Sequence, residues 1–300
     1  MHPTLIVGSV AFDTLHIAGE CHAKVLGGSA TYAAIAATHF GPVQLVGVVG
    51  RDFPDTATRM LKERGVDLAG LEVTDGETFH WEGKYSDDLG SRETLRTDLN
   101  VFADFRPKIP STFRSTPFVL LGNIDPTLQM EVLDQITQPK LVLADTMNLW
   151  IDIRRSELCE LCKQIDLLVL NDEEARQLTG KKNLVVAARA LHDLGPKTVI
   201  IKKGEHGALL LQGPDVFSLP ALPLSDVADP TGAGDTFAGA LMGFIARSGD
   251  ISSANLRRAV VYGSVLASFC VQGVSTSRIS TATANDVSAR YSEFQRLTSF

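Results

Sequence analysis

The chain has 300 residues, 44% of them apolar and 21% charged, and a net charge of -7. That is enough for one large domain or two small ones, and the acidic balance argues against the basic face that non-specific nucleic-acid binding needs. No apolar run approaches the ~20 residues of a membrane span, and the opening MHPTLIVGSVAFD lacks the charged lead and long apolar stretch of a signal peptide, so a cytoplasmic protein is expected.

In chain order, short β-branched bursts alternate with amphipathic stretches. Residues 4–8 read as a buried strand, 28–40 as a helix, 43–49 as a strand and 54–64 as a helix. Strand 117–121 leads to helix 126–137, which opens at Asp125-Pro126 with an N-cap followed by Pro at the first helical position. Strands at 140–144, 166–170 and 197–202 follow, with a helix at 183–194. Bursts of this kind suit strands buried on both faces. The alternation predicts a doubly wound α/β domain, a mostly parallel sheet flanked by helices, over the whole chain. Two polar stretches break the rhythm, 12–26 and 72–105. They are expected to form a small β-rich lid over one edge of the core, with a pair of surface hairpins as the plainer alternative. Phe79, Trp81 and Tyr85 stand at even spacing, which puts them on one face of a strand. Of the four cysteines, Cys159 and Cys162 form a CxxC in a helical segment with no second ligand pair, which favours packing over chemistry.

The sharpest signal is DPTGAGDTFAGALMGF at 229–244. A glycine-rich turn opens an apolar helix, and unpaired N–H groups at a helix start make an anion cradle. Asp235 beside such a cradle would repel an anion if it were a ligand. It makes sense as a base that takes a proton from a hydroxyl while the amides stabilise the transferred group, the pairing that phosphoryl transfer to an alcohol needs. No GxxxxGK[ST] occurs, and the glycine spacing does not fit a dinucleotide-binding loop. Tight helix packing remains the alternative explanation of these glycines.

The segment DPTGAGDTFAGALM resembles the C-terminal signature of the ribokinase-like (PfkB) carbohydrate and nucleoside kinases. Gly27-Gly28 resembles that family's N-terminal substrate motif. Asn171 to Glu174 resembles its NxxE motif, and IKKGEHGALLL its nucleotide segment. The resemblance implies an ATP-dependent kinase of the ribokinase-like fold, acting on a primary hydroxyl of a sugar or nucleoside. Asp235 would be the base, and the amides of Gly232, Ala233 and Gly234 the anion hole, with Asp229 and Thr231 setting the turn. Asn171 and Glu174 would organise Mg2+, although the same residues also read as a helix start. Lys203, Gly204 and Gly207 would line the nucleotide with Thr231, and the adenine pocket would involve 222–228 and the helix 256–274. Asp13 and Asn123 would bind the acceptor, with Asp145 near the phosphates. Family members that use a monovalent cation hold it near the glycine turn, which makes K+ a candidate cofactor. Lid pairing in the family suggests a homodimer. Two departures affect acceptor choice: Tyr32 replaces the usual Asn of the GG motif, and DTMN at 145–148 is one residue longer than the usual DxN. A kinase for a phosphorylated sugar, with Arg92 and Arg96 as the phosphate site, and a silent nucleotide or metabolite binder are the alternatives. Both arginines read more simply as solvated charges.

Overall fold

The computed structural model describes residues 1–299. Strands β1 (Thr4–Val7), β2 (Ala11–Ile17) and β3 (Glu20–Gly27) lead into helix α1 (Ser29–Thr38). Strand β4 (Val43–Gly50), α2 (Asp55–Glu63), β5 (Val66–Thr74), β6 (Phe79–Tyr85) and β7 (Arg92–Asp98) follow. After a 3-10 turn at Asn100–Asp104 come β8 (Phe118–Leu121), α3 (Pro126–Leu133), β9 (Leu141–Asp145), α4 (Asn148–Ile153), α5 (Arg155–Cys162) and β10 (Leu167–Asn171). The chain continues through α6 (Asp172–Thr179), α7 (Leu184–His192), β11 (Thr198–Lys202), β12 (Ala208–Gln212) and β13 (Asp215–Leu219). It ends with α8 (Ala233–Ser248), α9 (Ser253–Cys270), α10 (Ser277–Thr281) and α11 (Ala284–Leu297).

All six expected core strands form. They lie in one nine-stranded sheet of order β13-β12-β11-β10-β9-β8-β1-β4-β5, parallel except for β12 and β13. Strand β1 is buried on both faces, with Leu5, Ile6 and Val7 fully covered. Ile6 pairs with Leu45 on one side and Leu120 on the other. Strand order runs outward from β1 in both directions, so the sheet opens a crevice at the carboxyl ends of β1 and its neighbours, where open parallel sheets bind ligands. Asp125 caps α3 by accepting from Thr127 N–H at 2.8 Å, with Pro126 in the first turn, as its sequence signals.

Helix α8 is buried on nearly every side. Its glycines have a packing role: a Cβ on Gly239 would stand 2.2 Å from the Ala33 carbonyl oxygen, and one on Gly243 2.9 Å from the Ala37 α-carbon. The alanine-rich α1 and α8 therefore approach at backbone distance, which fixes where the α8 N-terminus opens.

The lid is a four-stranded sheet of order β3-β2-β6-β7. Its boundaries differ from the sequence reading at both ends of the second stretch, 72–105. Residues 72–74 belong to β5, the edge of the core sheet, because Glu72, Val73 and Thr74 pair with Val48, Val49 and Gly50. Residues 100–104 form the 3-10 turn, not a lid strand. Asp13 pairs with Trp81 and Leu15 with Gly83, while Tyr85 pairs with Arg92. Directly paired residues share a face, so Asp13, Trp81, Gly83, Tyr85 and Arg92 lie on one side of the lid. No helix among the described residues is long and apolar enough to cross a membrane.

Candidate active site

The glycine turn is held from several sides. Asp229 is fully buried; it accepts from Thr231 N–H at 2.8 Å and from Ser275 N–H at 2.9 Å. The N–H groups of Ala228 and Asp229 both donate to the Val271 carbonyl, and the Cys270 thiol donates to the Thr231 carbonyl at 3.4 Å. The turn is thereby tied to the end of α9. Gly232 adopts φ +73 as the N-cap of α8, the left-handed region that favours glycine. Among the described residues the N–H groups of Gly232 and Gly234 have no protein acceptor, whereas Ala233 N–H donates to the Pro230 carbonyl at 3.3 Å. The cradle therefore offers Gly232 and Gly234, and Ala233 drops out of the expected set.

Asp235 sits in the first turn of α8, partly buried. Burial, reinforced by the Asp145 charge, raises its carboxyl to about 7 against the opposing charges of Lys202 and Arg92. Glu174 is likewise raised to about 7, chiefly by burial, with Lys202 holding it down and Asp145 pushing it up. The Lys202 ammonium lies 3.1 Å from Asp145 Oδ2, in a mostly buried pair. Its Nζ also stands 2.8 Å from where a Cβ of Gly234 would be. The cation over the turn is therefore Lys202, a residue absent from the expected set, whereas Lys203 was expected to line the nucleotide. Lys203 sits one residue past β11, where its N–H donates to the Gly207 carbonyl. Lys202 was legible only through pairing: it ends β11 opposite Asn171, at the strand ends where ligands bind.

Asn171 and Glu174 form a capping box: Asn171 Oδ1 accepts from Glu174 N–H at 2.8 Å, and Glu174 Oε2 accepts from Asn171 N–H at 2.7 Å. The helix-start reading of this motif thus holds. The second oxygen of Glu174 has no protein partner among the described residues and remains available. No group of three or more His, Cys, Asp or Glu among those residues could hold a metal alone. A magnesium ion that keeps most of its waters and leans on substrate phosphates needs only such a single hard oxygen, so the donor set fits.

Gly204 and Gly207 take φ +54 and +88 in the turn after β11, and a Cβ on Gly207 would strike the Leu219 carbonyl at 2.0 Å. Gly207 is thus required by packing. The same holds for Gly263 on α9, where a Cβ would meet the Phe237 ring at 2.9 Å.

Asp13 is 5% exposed and its carboxylate makes no hydrogen bond among the described residues. Its carboxylate lies against the Gly27 α-carbon, where a Cβ would come within 2.1 Å of Oδ2. Burial, then the charges of Asp229 and Asp235, raise it to about 7. Gly28, at φ +93, leaves no room for a side chain beside the Ser9 carbonyl. Asn123, at the end of β8, accepts from Trp150 Nε1 at 2.9 Å. Tyr32 is 1% exposed, and its ring lies flat under Gly232, 2.4 Å from where a Cβ would be. Tyr32 thus supports the turn from below, because α1 runs directly beneath the start of α8, and burial together with the Asp13 charge raises its hydroxyl well above the ordinary value. Tyr85 of the lid meets the same turn from above, its hydroxyl 2.9 Å from Thr231 Oγ1. No sequence signal pointed to that contact.

A carboxyl raised to about 7 must lose its proton before it can serve as a base, the role expected of Asp235. The kcat/KM for the acceptor is therefore expected to fall at least tenfold per pH unit below ~7, more steeply because Asp13 and Glu174 are also raised to about 7, and to level off above it, whereas ordinary carboxylates would hold activity to ~4. Initial rates from pH 5 to 9 check this.

Residues 4–283 match the pfkB family carbohydrate kinase model. A cytidine kinase of Thermococcus kodakarensis is 31% identical over 248 residues, 81% of this chain and 87% of that protein. Among solved structures, one assigned as a ribokinase II from E. coli, in complex with ATP and Mg2+, superposes at TM-score 0.80 with 18% identity, over 98% of this chain and 100% of that one. The aminoimidazole riboside kinase of Salmonella enterica, with aminoimidazole riboside and an ATP analogue, does so at 0.76 with 19% identity, over 96% and 99%. The chain belongs to the pfkB carbohydrate kinase family. It is an ATP-dependent kinase of sugars or nucleosides with a ribokinase-like fold.

Proposed function

We propose that this kinase phosphorylates the primary hydroxyl of a nucleoside. The observation that carries the proposal is the lid register, which sets Asp13 beside Trp81 on the inner face of the lid. A carboxylate there accepts hydrogen bonds from two neighbouring ribose hydroxyls, and the adjoining indole gives the lid an aromatic wall beside which a base fits. Phe79, two residues before Trp81, stacks on Phe102 with centroids 5.5 Å apart and extends the aromatic wall. The similarity to a cytidine kinase supports the same reading.

In the proposed reaction Asp13 orients the sugar and Asn123 lies at the neighbouring strand end. Asp235 takes the proton from the primary hydroxyl as its oxygen bonds to the γ-phosphorus and the bond to the ADP oxygen breaks. The amides of Gly232 and Gly234 face the phosphoryl oxygens, under the positive end of α8. Glu174 would hold magnesium through its free oxygen, and the metal supplies neutralisation of phosphate charge. Asn171 orients Glu174 through the capping box. Gly204 and Gly207 shape the nucleotide side of the cleft, and Thr231 holds the turn. A homodimer through the lid belongs to this proposal as well, supported by the open edges at β3 and β7.

The test is acceptor-dependent ADP release with Mg-ATP over pyrimidine and purine nucleosides, free sugars and phosphosugars, with and without potassium. Turnover of a nucleoside is the expected result. Turnover confined to free sugars or phosphosugars would overturn the acceptor assignment and leave the kinase intact.

A further inference from the structure

We propose that Arg92 is a catalytic residue of this kinase, carried by the lid to the transferring phosphoryl group when Tyr85 docks on Thr231. The proposal rests on the kinase activity and not on which acceptor is used. Arg92 pairs directly with Tyr85 across β6 and β7, so it lies on the same inner face. The Tyr85 hydroxyl reaches Thr231, the residue before Gly232, which puts Arg92 beside the glycine turn whenever the lid is docked.

The arginine is also presented. Its guanidinium carbon lies 5.5 Å from the centroid of the Trp81 ring, a cation-π distance. The indole can lie there because position 83 is glycine: a Cβ on Gly83 would stand 2.1 Å from the ring. Arg92 has no carboxylate within ion-pair distance among the described residues, although Asp13, Asp145, Glu174, Asp229 and Asp235 all lie buried or partly buried around the cleft. Its charge is nevertheless felt at Asp13, Glu174 and Asp235, each of which it holds down. Arg96 differs. It is 2.6 Å from Asp98 and is already paired. Lys202, the other cation of the cleft, is committed to Asp145.

A polyphosphate entering a cleft lined by acids meets repulsion, and among the cleft's side chains Lys202 is the only other cation to offset it, itself paired with Asp145. An unpaired guanidinium fork matches phosphate oxygens better than any other side chain. Delivering it on the lid makes charge stabilisation depend on closure, the state that excludes water.

Calorimetry of the full chain with a non-hydrolysable Mg-ATP analogue and with Mg-ADP reads the γ-phosphate contact whatever the acceptor. In Arg92→Ala the preference for the triphosphate over ADP is expected to fall about tenfold. The kcat falls by about 10²-fold, while the acceptor KM stays within about threefold and the unfolding transition is unchanged. Arg92→Lys restores only part of kcat. In a Tyr85→Phe background the further loss from Arg92→Ala shrinks, because undocking already withdraws the arginine. An unchanged triphosphate preference overturns the proposal. With a raised acceptor KM it would assign Arg92 to a phosphate on the acceptor; with no kinetic change it would make Arg92 a solvated lid charge. Absence of ADP release by the wild type would instead count against the kinase, and is read separately.

Discussion

Asp235→Asn is expected to lower kcat by about 10²- to 10⁴-fold while the affinity for Mg-ATP changes little. Asparagine keeps the shape of the side chain and leaves the start of α8 intact, but it cannot take a proton at neutral pH. Removing the charge also relieves the acids around it. Asp235 is one of the groups that push the Asp13 carboxyl up to about 7, so Asp13 titrates lower in the variant. Phosphate affinity should if anything rise, since one negative charge leaves the cleft. Single-turnover kinetics with equilibrium ATP binding separates the two effects. Turnover within about fivefold of the wild type would remove Asp235 from the role of base.

Lys202→Met is expected to damage both stability and transfer. Methionine fills a similar volume but leaves Asp145 buried without its cation, and breaking one side of a buried pair costs about 3–5 kcal/mol. Lys202 also holds down the carboxyls of Glu174 and Asp235, both raised to about 7. Without it they rise further. The base then needs a higher pH to lose its proton, so the acid limb of the pH profile moves to more alkaline values. Lys203→Met, one residue away, is expected to leave both quantities near the wild type. Thermal unfolding and pH–rate profiles of the pair decide which lysine serves the site. A large loss of turnover in Lys203→Met with an unaffected Lys202→Met would reverse the assignment.

The two lysines show how far a linear reading reaches. Both stand at the end of a strand recognisable from TVIIK, and the resemblance of the segment to a nucleotide motif pointed to the second. Which one faces the cleft depends on strand parity and on the partner strand, where Asn171 pairs with Lys202. The two arginines of β7 tell the same story. They read alike as solvated charges, but a register shift between Glu82 and Gly83 places Arg92 opposite Tyr85, and Arg96 finds Asp98.

By itself the sequence determined the α/β alternation, the six parallel strands, the existence of a lid and the placement of Asp235 at the opening of α8. These follow from local properties: buried β-branched runs, helix caps, and glycines placed where a turn must precede a helix. Tertiary structure alone decided that Tyr32 lies beneath Gly232, that Ala233 spends its amide on Pro230, and that Tyr85 touches Thr231. Each of these depends on the close approach of segments far apart in the chain, α1 under α8 and the lid over the turn. A side chain's direction there is set by packing that no local pattern encodes.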